Sequence, residues 1–153
     1  MIISELKPYE RNVHYYETDK MGIVHHSNYI RIFEETRVFY LEQTGISFDE
    51  IEARGILMPA LSMECNYKAP LSFNEPFASY AIATKFNGTV LNVEYRVVSK
   101  RTGEISVTGK SSHCFTNTDL KPVRLKNSAP DIYQIFQDFL EYDPFGTKAE
   151  KNK

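Results

Sequence analysis

The chain has no tryptophan and only two cysteines, Cys65 and Cys114, among its 153 residues. Two cysteines so far apart form neither a metal-ligand motif nor the disulfide framework of a small secreted domain, so we expect reduced core thiols. The net charge of −2 lacks the basic excess that is typical of nucleic-acid-binding proteins. The first residues lack a basic stretch followed by a long apolar one, so we expect no secretory signal. No apolar run approaches the ~20 residues that a membrane-spanning helix requires. These absences favour a cytoplasmic protein with neither a nucleic-acid nor a membrane partner.

Aromatic and aliphatic residues are, by contrast, abundant. The chain contains 10 tyrosines and 10 phenylalanines, and 42% of its residues are hydrophobic, which suits a globular domain rich in β-structure. No repeat or linker divides the sequence, and its length is that of one domain with a substantial core. We therefore predict a single domain over residues 1–145, followed by a disordered polar tail at 146–153.

A long and unusually apolar helix is predicted from Asn28 to Thr44. Ser27 or Asn28 can cap its first N–H groups, and Gly45 suits the left-handed position that ends a helix. Around the helix axis, charged residues form one narrow stripe and apolar residues occupy a wider arc. Because so much of the circumference is apolar, other elements must cover the helix. The charged stripe consists of Arg31, Glu34, Glu35 and Glu42.

Strand-like segments supply that cover. A first strand is predicted at residues 9–16, and four more runs follow the helix and a short amphipathic segment at 48–54. These runs lie at residues 57–67, 77–86, 91–97 and 104–116. The Asn87-Gly88 dipeptide predicts a hairpin between the second and third of them, and residues 100–103 form the next turn. We expect the four runs to make an antiparallel meander.

A last helix is predicted to begin at Ser128, in a sequence like a capping box with Pro130 in the first turn. This order of elements predicts an α+β fold, in which one antiparallel sheet curls around the long helix. The exposed edges of such a sheet favour dimerisation. One face of the last helix is expected to dock onto the body through residues at helical spacing, namely Ile132, Ile135, Phe136, Phe139 and Leu140.

One acid, Asp19, lies in a Met-Gly turn just ahead of the long helix. A carboxylate there can be paired with backbone N–H groups at the helix N-terminus, which stabilise a developing oxyanion. A carboxylate and such N–H groups are the minimum set of groups needed to hydrolyse an activated acyl group. An acid before a helix is, however, more often only a cap or a turn residue, and the residues alone leave both interpretations open.

Residues 17–29 read Glu-Thr-Asp-Lys-Met-Gly-Ile-Val-His-His-Ser-Asn-Tyr and are followed by Phe33-Glu34. This segment resembles the signature of the 4-hydroxybenzoyl-CoA thioesterase family of hotdog-fold proteins, and the similarity extends over roughly residues 8–125. The resemblance implies a hotdog fold, a five-stranded antiparallel sheet wrapped around the long central helix. It also implies a homodimer joined edge to edge, often paired into a tetramer. The active sites would lie at the dimer interface and bind acyl-CoA or a related phosphopantetheine thioester.

The match to the motif also implies roles for single residues. It places Asp19 on the family's catalytic acid, and His26 where a backbone N–H at the helix start polarises the thioester carbonyl. Asp19 would act as nucleophile or as general base, and the sequence leaves both open. Whether the His26 imidazole also contacts Asp19 is equally open. The oxyanion and turn segment would comprise Gly22, in a turn that a side chain would crowd, with Val24, His26 and Ser27.

Other site candidates are less specific. Tyr29 and Phe33 lie one turn apart on one helix face and are candidates for the acyl pocket, with core packing as the equal alternative. Met58, Pro59 and Ala60 would come from the partner subunit. Cations suit phosphate, so the candidates for binding the CoA phosphates are Lys85, Arg96, Lys100 and Arg101.

No cofactor is predicted, because CoA is part of the substrate. No metal site is predicted either, because the adjacent His25 and His26 lack the spacing of metal ligands. His113 is expected to be a core or interface residue. The leading prediction is an acyl-CoA thioesterase, a hydrolase of thioesters. The alternatives are a thioesterase for acyl-carrier-protein substrates and a hotdog module that binds acyl thioesters without hydrolysing them.

Overall fold

The computed structural model describes residues 2–148. Within them, five strands form one antiparallel sheet in the order β1-β3-β4-β5-β2. The predicted α+β fold, with a long helix against a five-stranded sheet and a C-terminal helix, is confirmed. The strands are β1 (Tyr9–Asn12), β2 (Ala60–Tyr67), β3 (Pro76–Phe86), β4 (Val90–Ser99) and β5 (Ile105–Cys114). The helices are α1 (Asn28–Gln43), α2 (Phe48–Ala53), α3 (Leu125–Ser128) and α4 (Pro130–Phe139).

The strand order differs from the predicted meander. β3, β4 and β5 are successive neighbours, but β2 pairs with β5 and lies at an edge of the sheet. A continuous meander of all four runs is therefore wrong. The reason lies in residues 68–75, which pass the N-terminus of α1 instead of forming a hairpin. There Leu71 is fully buried, and its carbonyl accepts the Val24 N–H at 2.9 Å.

Both predicted turns between the meander strands are confirmed. The Asn87 N–H donates to the Val90 carbonyl at 3.3 Å, and Gly88 has a φ of +87°. The Asn87 side chain also closes this turn, because its Oδ1 accepts the N–H groups of Thr89 and Val90 at 3.0 and 2.9 Å. Gly103, with a φ of +77°, lies in the turn between β4 and β5.

β1 ends at Asn12, earlier than the predicted residue 16. Beyond it, Tyr15–Glu17 forms a short 3-10 turn. The Glu17 carboxylate holds this turn, because its Oε1 accepts the His14 N–H at 2.8 Å and an Arg11 N–H at 2.7 Å. The early end of β1 lets the following segment turn toward α1.

The start of α1 is not capped as predicted. Ser27 is itself helical and makes no side-chain cap bond, and its hydroxyl bonds His25 Nδ1 at 2.8 Å. Asn28 donates its side-chain N–H to the Glu17 carbonyl at 2.8 Å instead. The other end of α1 agrees with the prediction, because Gly45 has a φ of +92°.

The start of α4 also lacks the predicted capping box. Ser128 closes α3, and Ala129 occupies the N-cap position without a side-chain cap bond. Pro130 does stand in the first turn of the helix, as predicted. The docking of its apolar face is confirmed, because Ile132, Phe136 and Phe139 are buried.

α1 contacts the sheet through Phe33, whose side chain is fully buried. Its ring stacks on that of Tyr95 in β4, with centroids 4.4 Å apart and planes 11° apart. Phe33 also lies over Gly109 of β5. A Cβ at residue 109 would lie 2.4 Å from Cε2 of Phe33, far inside contact distance. The helix therefore lies this close to the sheet because residue 109 has no side chain.

Two further predictions were reduced core thiols and a disordered polar tail at residues 146–153. Cys65 and Cys114 are both free and half-buried. At the tail, Lys148 donates from Nζ to the Leu140 carbonyl, and residues 149–153 of the predicted disordered segment lie outside the described residues. No helix within residues 2–148 is both long and apolar enough to cross a bilayer.

A chain of buried polar groups links α1 to β5. The Tyr95 hydroxyl accepts an Arg37 N–H at 2.9 Å and lies 2.6 Å from Ser111 Oγ, which is 2.8 Å from His113 Nε2. His113 is only 2% exposed, which confirms the prediction of a core or interface histidine. Its burial, together with the nearby charge of Arg37, lowers the pKa of His113 from 6.5 to about 4.

His113 should make the stability of the fold depend on pH. Because its pKa is lower in the folded than in the unfolded chain, its contribution is complete above pH 6.5 and is lost as the pH falls toward 4. We expect the free energy of unfolding to fall through this group by up to about 3 kcal/mol between neutral pH and that limit. Urea denaturation across this range measures the slope, and His113→Gln should flatten it. A variant with the wild-type slope would contradict this assignment.

Candidate active site

The segment between β1 and α1 folds into a tight turn that presents Asp19. Thr18 and Val24 pair as an isolated antiparallel bridge. Inside it, the Asp19 N–H donates to the Ile23 carbonyl and the Gly22 N–H donates to the Asp19 carbonyl, both at 2.9 Å. Gly22 has a φ of +80°, and a Cβ there would meet no atom within 4 Å. The backbone conformation, rather than the predicted crowding, therefore requires glycine.

The two ends of this loop meet at one backbone carbonyl. The Glu17 carbonyl accepts the His25 N–H at 2.9 Å and the side-chain N–H of Asn28 at 2.8 Å. Next to His25, the Val24 N–H donates to the carbonyl of Leu71. Residues 17–28 are thereby held between the N-terminus of α1 and the segment 68–75.

The Asp19 carboxylate is half-buried and is oriented by the backbone. Its Oδ1 accepts the Met21 N–H at 2.8 Å. Its Oδ2 accepts no hydrogen bond from any residue between 2 and 148. One carboxylate oxygen is thus fixed by the turn, and the other is available to a reacting group.

Asp19 lines an open pocket of about 330 Å³. The walls come from the turn, the start of α1, the end of β2 with the segment after it, and the start of β5. They combine apolar surface with hydroxyl, imidazole and ammonium groups, contributed by Val24, His26, Tyr29, Tyr67, Lys68 and Ser106.

Three of these wall residues were not predicted from the sequence to belong to the site. Tyr67 ends β2, Lys68 follows it, and Ser106 lies near the start of β5, so the pairing of β2 with β5 brings them to the pocket. Their sequence neighbourhoods carry no motif. Glu17 was also missed as an anchor, although it stands two residues before Asp19 in the recognised segment.

The predicted oxyanion donors differ in whether their N–H groups are already bonded within the protein. The Val24 N–H is bonded to Leu71, and the Ser27 N–H donates to His25 Nδ1 at 3.2 Å. The His26 N–H has no acceptor among residues 2–148, and His26 lines the pocket. The Tyr67 hydroxyl donates to the His26 carbonyl at 3.1 Å and so fixes the same peptide segment from the sheet side.

The two histidine side chains lie against each other, with ring centroids 4.1 Å apart. His25 bonds Ser27 and lies outside the pocket lining, which fits its predicted structural role. In the part of the chain that the structure describes, no hydrogen bond joins the His26 imidazole to Asp19. No group of three potential ligands within that part could hold a metal ion.

The predicted acyl-pocket residues do not all lie at the Asp19 pocket. Tyr29 does line the pocket, and its hydroxyl lies 3.0 Å from Ser106 Oγ. Phe33, one turn further along α1, faces Tyr95 in the core and does not line it. Met58 lines a separate apolar cavity between α1 and α4, and neither Pro59 nor Ala60 lines the Asp19 pocket of its own chain.

The predicted phosphate-binding cations do not converge on this pocket. Lys100 pairs with Glu10 at 3.1 Å, and Arg101 pairs with the buried Glu75 at 2.9 Å. The Arg96 guanidinium lies 3.8 Å from the ring centroid of Phe145, and Lys85 is exposed on β3. Lys68, in contrast, belongs to the pocket wall.

Comparison with known proteins shows which proteins this chain is similar to. Residues 13–136 match the thioesterase-like superfamily. YneP of Bacillus subtilis (strain 168), provisionally named as an acyl-CoA thioesterase, is 30% identical over 129 residues, which cover 84% of this chain and 93% of that protein. The acyl-CoA thioester hydrolase YbgC of Escherichia coli O157:H7 is 24% identical over 116 residues, 76% of this chain and 87% of YbgC.

A solved structure supports the same relationship. The DHNA-CoA thioesterase from Staphylococcus aureus superposes with a TM-score of 0.82 and 26% sequence identity. The match covers 96% of this chain and 95% of that one. The similarity therefore extends over nearly the whole chain.

Proposed function

This chain belongs to the thioesterase-like superfamily and is an acyl-CoA thioesterase with the hotdog fold, and we propose that its active site is the pocket that contains Asp19. One observation carries the proposal. The Asp19 carboxylate and His26, whose N–H has no acceptor within residues 2–148, line the same pocket at the N-terminus of α1. Thioester hydrolysis needs these two groups, a carboxylate and an oxyanion donor.

The His26 N–H is the proposed oxyanion donor. It stands just before α1, a helix of 16 residues whose dipole places partial positive charge at this end. The thioester carbonyl oxygen would accept a hydrogen bond from this N–H as negative charge develops on it. Removal of one such donor costs about 3 kcal/mol of transition-state stabilisation where it has been measured.

Asp19 has two possible routes to the same products. As a nucleophile, its free oxygen attacks the thioester carbon, CoA leaves as the thiolate, and water then cleaves the acyl-aspartyl anhydride. As a general base, the carboxylate takes a proton from water, whose oxygen bonds the acyl carbon while the carbon–sulfur bond breaks. In both routes the Met21 N–H orients the carboxylate, and the products are the free acid and CoA.

The acyl group and the CoA moiety would meet different parts of the pocket wall. Tyr29 and Tyr67, with ring centroids 5.8 Å apart, offer an apolar surface to an acyl group. Lys68 offers a positive charge to a CoA phosphate. Lys100 and Arg101 are already paired with carboxylates, so Lys68 replaces them as the first candidate.

Asp19→Asn removes the carboxylate charge and keeps the acceptor for the Met21 N–H. We expect kcat to fall by about 10²–10⁴-fold, because neither route operates without the carboxylate. Release of the free thiol, followed with a thiol reagent over a panel of acyl-CoA chain lengths, DHNA-CoA and acyl-carrier-protein thioesters, measures it. Asp119→Asn, which alters an exposed carboxylate beyond β5, is the control and should keep wild-type turnover.

Each outcome of that experiment separates the hypotheses. Wild-type turnover by Asp19→Asn would exclude Asp19 as the reacting group. Turnover confined to acyl-carrier-protein substrates would favour the carrier-protein thioesterase. If the wild-type chain hydrolyses no thioester at all, the binding module is the better description.

A pair of variants at residue 26 distinguishes the backbone from the side chain. His26→Ala keeps the N–H and should retain kcat within about fivefold, whereas His26→Pro removes the N–H and should lower kcat by about 10²–10³-fold. Circular dichroism must show that both variants are folded before rates are compared. Equal loss of kcat in the two variants would assign the role to the imidazole and refute the backbone donor.

We also propose a homodimer joined along β2. This edge strand leaves Leu61 and Tyr67 58% and 53% exposed, and an unpaired edge of this kind is suited to pairing with a second copy. In an antiparallel, two-fold pairing, the start of one β2 lies beside the end of the other. Residues 58–60 of the second copy would then approach Tyr67 and the Asp19 pocket, in keeping with the site at the dimer interface that the family resemblance implies.

Sedimentation velocity tests the dimer. We expect the wild-type chain to sediment as a dimer or a pair of dimers, and Leu61→Lys to shift it toward monomer with a parallel loss of turnover, because the charge lies at the β2 edge. Ile2→Lys, at an exposed side chain ahead of β1, the strand at the opposite edge of the sheet, should leave the assembly unchanged. A wild-type monomer with full activity would refute the interface.

A further inference from the structure

The side chain of Glu17 is almost completely buried and fully bonded. It is 3% exposed, and three N–H groups donate to its carboxylate. Arg11 donates from Nη1 to Oε1 at 2.7 Å and from Nη2 to Oε2 at 2.8 Å, while the His14 N–H donates to Oε1 at 2.8 Å. Two parallel bonds from one guanidinium fix the direction of the carboxylate as well as its distance.

Arg11 is itself held by its own strand and by two other elements. It donates from Nε to Glu35 Oε2 on α1 at 3.0 Å, and from Nη1 to the Asn12 carbonyl at 2.9 Å. Its guanidinium carbon also lies 5.1 Å from the ring centroid of Phe77 in β3. One cation thus connects β1, α1 and β3 to the start of the loop that carries Asp19.

Stability alone is a weak explanation for this buried pair. Burial alone would raise the pKa of Glu17, but the hydrogen bonds from Arg11 and the His14 N–H outweigh burial and lower it. The carboxylate therefore stays charged inside the protein. Apolar residues of similar volume often stabilise a fold as well as a buried ion pair does, so stability is a weak reason for this pair.

The main chain of Glu17 transmits that geometry to the site. Its carbonyl accepts the His25 N–H, which precedes His26, and Asp19 follows two residues later. A rotation of Glu17 would therefore move the carboxylate and the oxyanion donor relative to each other. We propose that Glu17 and Arg11 are positioning residues that fix the separation of the Asp19 carboxylate and the His26 N–H, an inference that rests on the proposed function.

Glu17→Gln tests the proposal, because it keeps the shape of the side chain and removes its charge. We expect kcat and kcat/KM to fall together, on the order of tenfold to hundredfold, because a displacement near 1 Å between reacting groups has effects of that size. An equal loss in both constants marks an interaction that acts in the transition state. Amide hydrogen exchange in residues 18–28 should also accelerate, and this readout does not depend on activity.

The control breaks a bidentate ion pair that lies on the surface, away from the pocket. Arg54 and Asp131 form a bidentate pair at 2.7 and 2.8 Å that joins α2 to α4. Asp131→Asn should leave kcat and the exchange of residues 18–28 at wild-type values. All assays are run at a temperature where circular dichroism shows each variant folded.

The outcomes distinguish this proposal from the proposed function. Wild-type kcat and exchange in Glu17→Gln would overturn the positioning role while leaving the Asp19 mechanism intact. If Asp19→Asn keeps its activity, the mechanism fails, and faster exchange in Glu17→Gln still supports the constraint on the loop. If Glu17→Gln does not fold, Arg11→Lys carries the test, because it keeps the charge and loses the two-pronged contact. Failure of both variants to fold would assign the pair to stability and overturn the proposal.

Discussion

The close contact between α1 and the sheet is the constraint on which this structure depends. α1 buries seven of its 16 residues, and an isolated helix of that kind would expose too much apolar surface to water. Phe33 meets Tyr95 face to face, and this distance is possible because Gly109 offers no side chain. The helix covers one face of the sheet, and each edge strand, β1 and β2, is paired on one side only within residues 2–148.

The same packing decides where a reactive site can form. One side of α1 is covered, its charged stripe faces outward, and the helix offers polar backbone groups to a ligand at its N-terminus. Three segments that are distant in sequence meet at that end: residues 17–28, residues 68–70 and the start of β5. Most of the amides there are already bonded within the protein, and this leaves the His26 N–H and one oxygen of Asp19 available. The proposed mechanism uses these two groups.

Buried charge in this protein lies at the loops that border the pocket. Glu17 holds the first loop through Arg11, and Glu75, also 3% exposed, holds the segment 68–75 through the Ser72 N–H and Arg101. Each carboxylate carries a large desolvation cost, which several directed hydrogen bonds offset. Directed bonds restrict loops in a way that apolar contacts do not, since they specify angle as well as distance. The arrangement therefore favours a site whose groups are preorganised before substrate binds.

The features that could be predicted from the sequence depend on residues close together in the chain. The long helix with Gly45 at its end, the turn at Asn87-Gly88 and the apolar face of α4 each depend on neighbours within a few residues, and the structure confirms them. The segment at residues 17–29 likewise pointed to Asp19 and His26, because its motif is contiguous. The helix, the turn and the apolar face follow from local backbone preference and from periodicity, which need no knowledge of the rest of the fold. Asp19 and His26 were indicated instead by the resemblance of their segment to a known family.

Only the tertiary structure decided the position of β2, the early end of β1 and the residues that complete the pocket. β2 pairs with β5 because the segment after it is held against α1, and that pairing brings Tyr67 and Lys68 to Asp19. The capping of α1 was mispredicted for the same reason, since Asn28 bonds the distant carbonyl of Glu17. Strand pairing, burial and the competition for backbone amides depend on contacts between residues far apart in the chain. One-dimensional patterns cannot specify such contacts, because the same local sequence is compatible with several partners.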